Sequence, residues 1–291
     1  MLTIDHVAFG GSELDHLRTA AADVGLPSEY GGPHGNGTTH MAVVGLPDGS
    51  YIEFIAPTED TSPDDADFWS AHLAADAGPA GWCIEVSNVA ASAKTAIDSG
   101  VRVDGPHEAS RVSPDGTRIE WDMCFEGPTD DGRLPFVIAD RTPRSYRTTP
   151  NLDLVDSPLV GTALVVLAVE KTDRTASLLT RRHRLPTPIA ADGPFDRFSI
   201  CPGAPVAYAE TGDGENQSST AQMQAGTDDI ASRVDSLGEG PCAYFLAADD
   251  FEAATEQFSL TDVQSFGPDG DRRAAWFDHG VFRGRLGVVE L

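Results

Sequence analysis

The sequence predicts an α+β fold built from four copies of a β-α-β-β-β module. Apolar strands open near residues 4, 82, 162 and 242, about 80 residues apart. Each is followed by a polar turn and a helix, and in three modules alternating strands follow clearly. Such a period marks a repeated supersecondary unit.

The first module opens with a strand over residues 4–9. Ser12 then offers a cap for a helix over 14–24, whose Leu14, Leu17, Ala21 and Val24 form one apolar stripe. Strands over 38–46 and 50–56 follow, joined by the turn Pro47-Asp48-Gly49. A linking helix over 62–77 leads to the second module. That module has a strand over 82–86, a helix over 89–98 after Ser87-Asn88, and strands over 117–125 and 134–140 joined by the Gly/Asp-rich 127–132. The second strand of each module is faint. Residues 141–158 are Pro-rich and read as a domain linker. The third module has a strand over 162–169 and a helix ending near 182. Residues 212–219 and 225–240 read as an inserted loop and a short helix. The fourth module has a strand over 242–246, a helix over 251–258 after Asp249-Asp250, and strands over 273–278 and 284–290. Two domains are expected: 1–148, with modules at 1–60 and 80–142, and 149–291, with modules at 159–211 and 241–291.

The charge is extreme, with 46 acids against 20 bases and a formal net charge of −26. Asp outnumbers Glu 31 to 15, and lysine occurs only as Lys94 and Lys171. The acidity is spread along the whole chain, which points to adaptation to high salt, where short carboxylates hold water and cations. Nucleic acid and anionic membrane are poor partners for such a surface. No apolar run approaches the roughly 20 residues that span a bilayer, and the first residues lack a secretory pattern. A cytoplasmic protein is therefore expected. Four separated cysteines with no C-x-x-C pair read as small core residues.

Two apolar strands carry polar residues that are costly to bury unless paired or metal-bound. They are His6, expected to share a face with Ile4 and Ala8, and Glu53, expected to share one with Tyr51 and Ile55. A His and a Glu facing one hollow would make half of a divalent-metal site. His34 and His40 flank a Gly-rich loop (Gly31, Gly32, Gly35, Gly37) that would fold over that hollow. Arg133, Arg141, Arg144 and Arg147 form a basic cluster that either pairs with acids or holds an anionic substrate. Arg181 and Arg182 sit at a helix C-terminus, where cations favour the dipole. His16, His72, His107, His183 and His279 read as solvated.

The stretches 4–7, 31–40 and 48–55 together resemble the vicinal oxygen chelate superfamily, and most of all its glyoxalase-like domain proteins. Residues 134–138 are a second, weaker match. The resemblance implies that modules pair into cup-shaped sheets, giving two glyoxalase-like domains. It also implies metal ligands on the first and last strands of each module. His6 and Glu53 match those positions in the first module. The second module departs from the pattern: its first strand has no His, and its last offers only Asp140. Trp82, Glu120, Asp122, His34 and His40 are the expected cup-lining, substrate-binding residues, with Glu53 and Asp140 as proton-moving carboxylates. The C-terminal half has no His on either opening strand, so it is expected to be a degenerate domain. The resemblance implies a divalent-metal-dependent (Zn, Ni, Mn or Fe) lyase or isomerase acting on a small oxygenated substrate. A metal-free small-molecule binder of the bleomycin-resistance type is the alternative, and an extradiol-type dioxygenase the third reading. A monomer or a homodimer would suit four modules in one chain.

Overall fold

The computed structural model describes residues 2–128, 132–212, 230–261 and 263–291. Two eight-stranded sheets form the frame. The first contains β1 (Ile4–Gly10), β2 (Glu29–Pro33), β3 (Thr39–Gly45), β4 (Tyr51–Pro57), β5 (Gly78–Glu85), β6 (Val103–Val112), β7 (Arg118–Glu126) and β8 (Phe136–Asp140). Its order is β2-β3-β4-β1-β5-β8-β7-β6. The opening strands β1 and β5 run antiparallel at the centre, and each module's closing strand lies parallel to its own opening strand.

The second sheet contains β9 (Leu159–Val169), β10 (Ile189–Ala190), β11 (Phe198–Ile200), β12 (Val206–Glu210), β13 (Gly240–Ala248), β14 (Gln264–Phe266), β15 (Arg272–Trp276) and β16 (Leu286–Glu290). It repeats the same order, β10-β11-β12-β9-β13-β16-β15-β14. Four β-α-β-β-β modules are thus paired into two curled sheets, as the repeat predicts. The expected domain boundary falls between β8 and β9, in a stretch that carries two short helices, Arg144–Arg147 and Leu152–Val155.

One continuous core joins the two halves. Val7, Phe9, Ile52 and Phe54 of the first sheet pack with Val165, Leu167, Tyr208 and Tyr244 of the second, together with the helix Leu14–Asp23. The Tyr244 hydroxyl lies 3.0 Å from the carbonyl of Ala8 and 2.7 Å from that of Gly81. These faces are shared, so each sheet turns its other face into its own cup.

Several local expectations change. The residues 62–77 form a 3-10 turn at Pro63–Asp65 and a short helix at Ser70–Ala74, with left-handed Trp69 between them. The first helix is preceded by Glu13 rather than capped by Ser12. Asn88 and Asp250 do cap their helices, each accepting a backbone N–H three residues on. The faint second strands exist, and β6 is ten residues long. Its alternation was obscured because most of its residues are partly or fully exposed. The expected insertions lie partly outside the described residues; within them, a helix spans Ile230–Leu237. The His183 side chain is tucked in rather than solvated, 3.1 Å from Glu126 Oε2, where Arg182 also pairs with the same carboxylate.

Candidate functional site

The first sheet curls around a cavity of about 470 Å³. Strand alternation decides which side chains reach it. On β4, Tyr51, Glu53 and Ile55 face the cavity, while Ile52 and Phe54 enter the shared core. On β1, His6 faces the cavity, but Ile4 joins the core with Val7 and Phe9. The pairing of β1 with β5 shifts register between Ile4 and His6. That bulge inserts one extra residue, Asp5, and breaks the simple alternation that grouped Ile4 with His6.

His6 and Glu53 meet, as the sequence implies. His6 Nε2 lies 3.3 Å from Glu53 Oε2. His34 arrives from the Gly-rich loop and places its Nε2 3.0 Å from Glu53 Oε1. The far nitrogen of each ring is anchored: His6 Nδ1 lies 2.6 Å from Asp5 Oδ1, and His34 Nδ1 lies 2.8 Å from Thr39 Oγ1. The His6 ring also stacks on Tyr51 at 4.6 Å.

A second layer fixes Asp5. Arg147 donates to both Asp5 oxygens at 2.7 and 2.9 Å, to both Asp140 oxygens at 2.7 and 3.0 Å, and to the Tyr51 hydroxyl at 2.7 Å. All of its N–H donors are used. Arg144 also pairs with Asp5. Burial alone would raise the Asp5 carboxyl, but the bonds from Arg147 and His6 outweigh it and hold it well below the usual carboxylate range. Burial likewise opposes ionisation of Glu53, and His34 and His6 outweigh it, leaving Glu53 ionised. Burial disfavours a charged His6, yet Tyr51, Cys83 and Asp5 raise it well above its ordinary value.

These protonation states have a consequence. Ionised carboxylates only accept hydrogen bonds. Asp5 therefore accepts the hydrogen bond from His6 Nδ1–H, and a cation between His6 Nε2 and Glu53 would be stabilised there. That cation is either a second proton on the ring or a metal ion.

The donor chemistry of His6 and Glu53 suits a divalent ion of nitrogen and oxygen preference, with His34 on the opposite oxygen of Glu53. Anchoring of the far ring nitrogen by a carboxylate or hydroxyl is what ligating histidines require. Asp5, His6 and Cys83 also offer ligand atoms within 4.8 Å of one another. That group fits less well, because both Asp5 oxygens are taken by guanidinium and burial pushes the Cys83 thiol up to about 11.

The other expected residues fall elsewhere. Asp140 closes β8 but spends both oxygens on Arg147. Trp82 enters the shared core and donates to the Gly132 carbonyl at 3.1 Å. His40 stacks edge-on to Tyr30 outside the cavity, and burial lowers its pKa. Glu120 and Asp122 point away from the cup, Glu120 to Arg118 and Asp122 toward Arg141. Their neighbours Trp121 and Met123 line it instead. Phe68, Trp69, Phe125 and Phe136 complete an aromatic wall with ring separations of 5.3 to 6.1 Å. Sequence reasoning did not single out Asp5 or Arg111. Asp5 hides in the bulge, and Arg111 lies on the faint strand β6.

The second cup lacks these polar groups at the equivalent strand positions. His6 pairs with Tyr51 and Cys83; its counterpart Val166 pairs with Ala207 and Ala243. The Glu53 counterpart is Ala209. Phe198, Phe245, Phe266 and Trp276 fill the interior.

These features define a glyoxalase-like protein with one chemically equipped cup. A family model described as a glyoxalase-like domain matches residues 4–182, and the chain belongs to that family. No curated protein matches. Among solved structures, a hypothetical protein from Staphylococcus aureus is similar over 100% of both chains, at 13% identity and a TM-score of 0.62. A mutant 4-hydroxymandelate synthase from Streptomyces coelicolor is similar over 99% of this chain and 92% of its own, at 12% identity and a TM-score of 0.55. These likenesses show the fold. No helix is long and apolar enough to cross a membrane among the described residues.

Proposed function

We propose that the chain is a divalent-metal-dependent lyase or isomerase acting on a small oxygenated substrate in the N-terminal cup. The observation that supports this is the cation-stabilising gap between His6 Nε2 and Glu53 Oε2. His6 and Glu53 would hold the ion. When bound, the ion would supply Lewis-acid stabilisation of an oxyanion on a substrate with two adjacent oxygens. Glu53 would take a substrate proton, with His34 Nε2, 3.0 Å from its Oε1, steadying the carboxylate. Asp140 is a positioning residue, because it orients Arg147, which fixes Asp5 and through it His6. The aromatic wall keeps bulk water from the oxyanion.

The test is metal analysis of protein purified in high salt and offered Zn²⁺, Ni²⁺, Mn²⁺ and Fe²⁺ in turn. The reading expects about one equivalent of one ion, and at least a tenfold loss of affinity in His6→Ala and Glu53→Gln. Wild-type protein that refuses all four ions ends it. The second reading, a metal-free binder, draws on the partner module, which offers Cys83 and Ile138 where a further His and Glu would stand. There the proton sits on His6 Nε2. An extradiol-type dioxygenase is the third reading, and it too would need the N-terminal cup.

A further inference from the structure

Arg111 is a buried cation that lines the cavity, with 5% of its surface exposed. Its guanidinium donates to two backbone carbonyls, Gly31 at 2.5 Å and Arg147 at 2.8 Å. Among the described residues no carboxylate is directly paired with it, and Glu53 acts on it only across a longer gap. Two other buried arginines show the contrast. Arg147 faces Asp5 and Asp140, and Arg182 faces Glu126. Arg233 donates to the carbonyls of Ala77, Pro79 and Pro241 at the seam between the halves, away from this cavity. A guanidinium kept out of water without a directly bonded counter-ion is costly. Its forked donors match a carboxylate.

We infer that the substrate is an apolar, ring-bearing carboxylate whose anionic end is bound by Arg111. The inference deepens the proposed function, since it rests on the same cup being the binding site. Arg111, His34 and Tyr51 make the polar end, where the Glu53 charge is already met by His6 and His34. Phe68, Trp69, Phe125 and Phe136 make a wall suited to stacking on a ring. The cavity rim carries Asp104 and Glu108, both well exposed. Those carboxylates disfavour a long polyanionic tail, so the substrate carries its charge at the buried end.

The probes are 2-naphthoate and its neutral amide, 2-naphthamide, titrated calorimetrically into the full chain in high salt. The titrations are run on both metal-loaded and chelated protein. The naphthoate is expected to bind at least tenfold tighter than the amide in chelated protein. Arg111→Met should erase that preference without changing metal content. Arg111→Lys should keep part of it, and Trp69→Ala should weaken both probes alike. Equal affinity for the two probes, no saturable naphthoate binding, or a preference that survives Arg111→Met each overturns the inference. Should Arg111→Met not fold, the wild-type comparison and Arg111→Lys decide. Failure of the metal reading leaves the chelated titration unaffected, so the two failures are distinguishable.

Discussion

Cys83 on β5 lies directly across from His6 on β1, and the two are related by the pseudo-twofold between the modules. Tyr51 and Phe136 flank them at equivalent places on the closing strands. Two residues further along stand Glu53 and Ile138. The first module therefore supplies a His and a Glu, while the second supplies a thiol and a sec-butyl group. The Gly-rich loop makes up part of this deficit by delivering His34 to the opposite oxygen of Glu53.

This asymmetry separates two candidate ligand groups. Burial pushes the Cys83 thiol up to about 11, so it stays protonated and a poor ligand at neutral pH. Cys83→Ala is expected to keep the wild-type metal content, whereas His6→Ala loses it. Plasma mass spectrometry on the two proteins reads the difference. Metal loss in Cys83→Ala would move the site to Asp5, His6 and Cys83.

Arg147, itself buried, ties Asp5, Asp140 and Tyr51 together. Removing one partner of a buried ion pair strands the others. Arg147→Met is expected to lower the unfolding free energy by about 3–5 kcal/mol, measured by denaturant titration. Asp140→Asn should cost less, because Asp5 still faces the guanidinium. A Met variant as stable as wild type would show that Asp5 and Asp140 find water or another cation.

Much of this site was legible because period-two alternation exposes a polar residue on an apolar strand. His6 and Glu53 stood out for that reason. Alternation failed where the backbone departs from it. The bulge at Asp5 moved Ile4 into the core, and the solvent-washed strand β6 hid Arg111. Glu120 and Asp122 did share a face, but the apolar Trp121 and Met123 took the cup, since a half-buried strand turns its apolar side inward. The repeat period placed all four modules, because it depends on spacing and not on any one residue.

His72 provides a pH signature away from the cup. Burial pushes its pKa from 6.5 down to about 4, with Arg233 adding repulsion. The unfolded chain therefore binds more protons than the folded one between those values. Stability contributed by the neutral ring is complete above about pH 6.5 and is lost as pH falls toward 4, by no more than about 3 kcal/mol. His72→Gln should flatten that part of the stability profile relative to wild type. Parallel profiles for the two proteins would mean that His72 charges freely in the fold.

The filled second cup predicts a purely structural role for its aromatics. Phe245 stacks near Trp276 at 4.6 Å and near Phe266 at 5.8 Å. Phe245→Ala is expected to cost about 3–5 kcal/mol, seen as a lower denaturation midpoint. Naphthoate affinity and metal content should stay at wild-type levels. A change in either would show that the second cup communicates with the first.

The net charge of −26 predicts how the whole fold answers to salt. Self-repulsion among spread carboxylates works against the compact state. The Debye length falls from about 10 Å at 0.1 M salt to about 3 Å at 1 M, so KCl should screen most of that repulsion. The thermal midpoint should climb steeply over this range and more slowly beyond it. Sucrose separates charge screening from general exclusion, because it strengthens burial without screening charge. KCl is expected to stabilise the protein far more than sucrose does. Equal effects of the two solutes would mean that the acidic surface carries little repulsive energy, and the high-salt reading of the composition would fall with it.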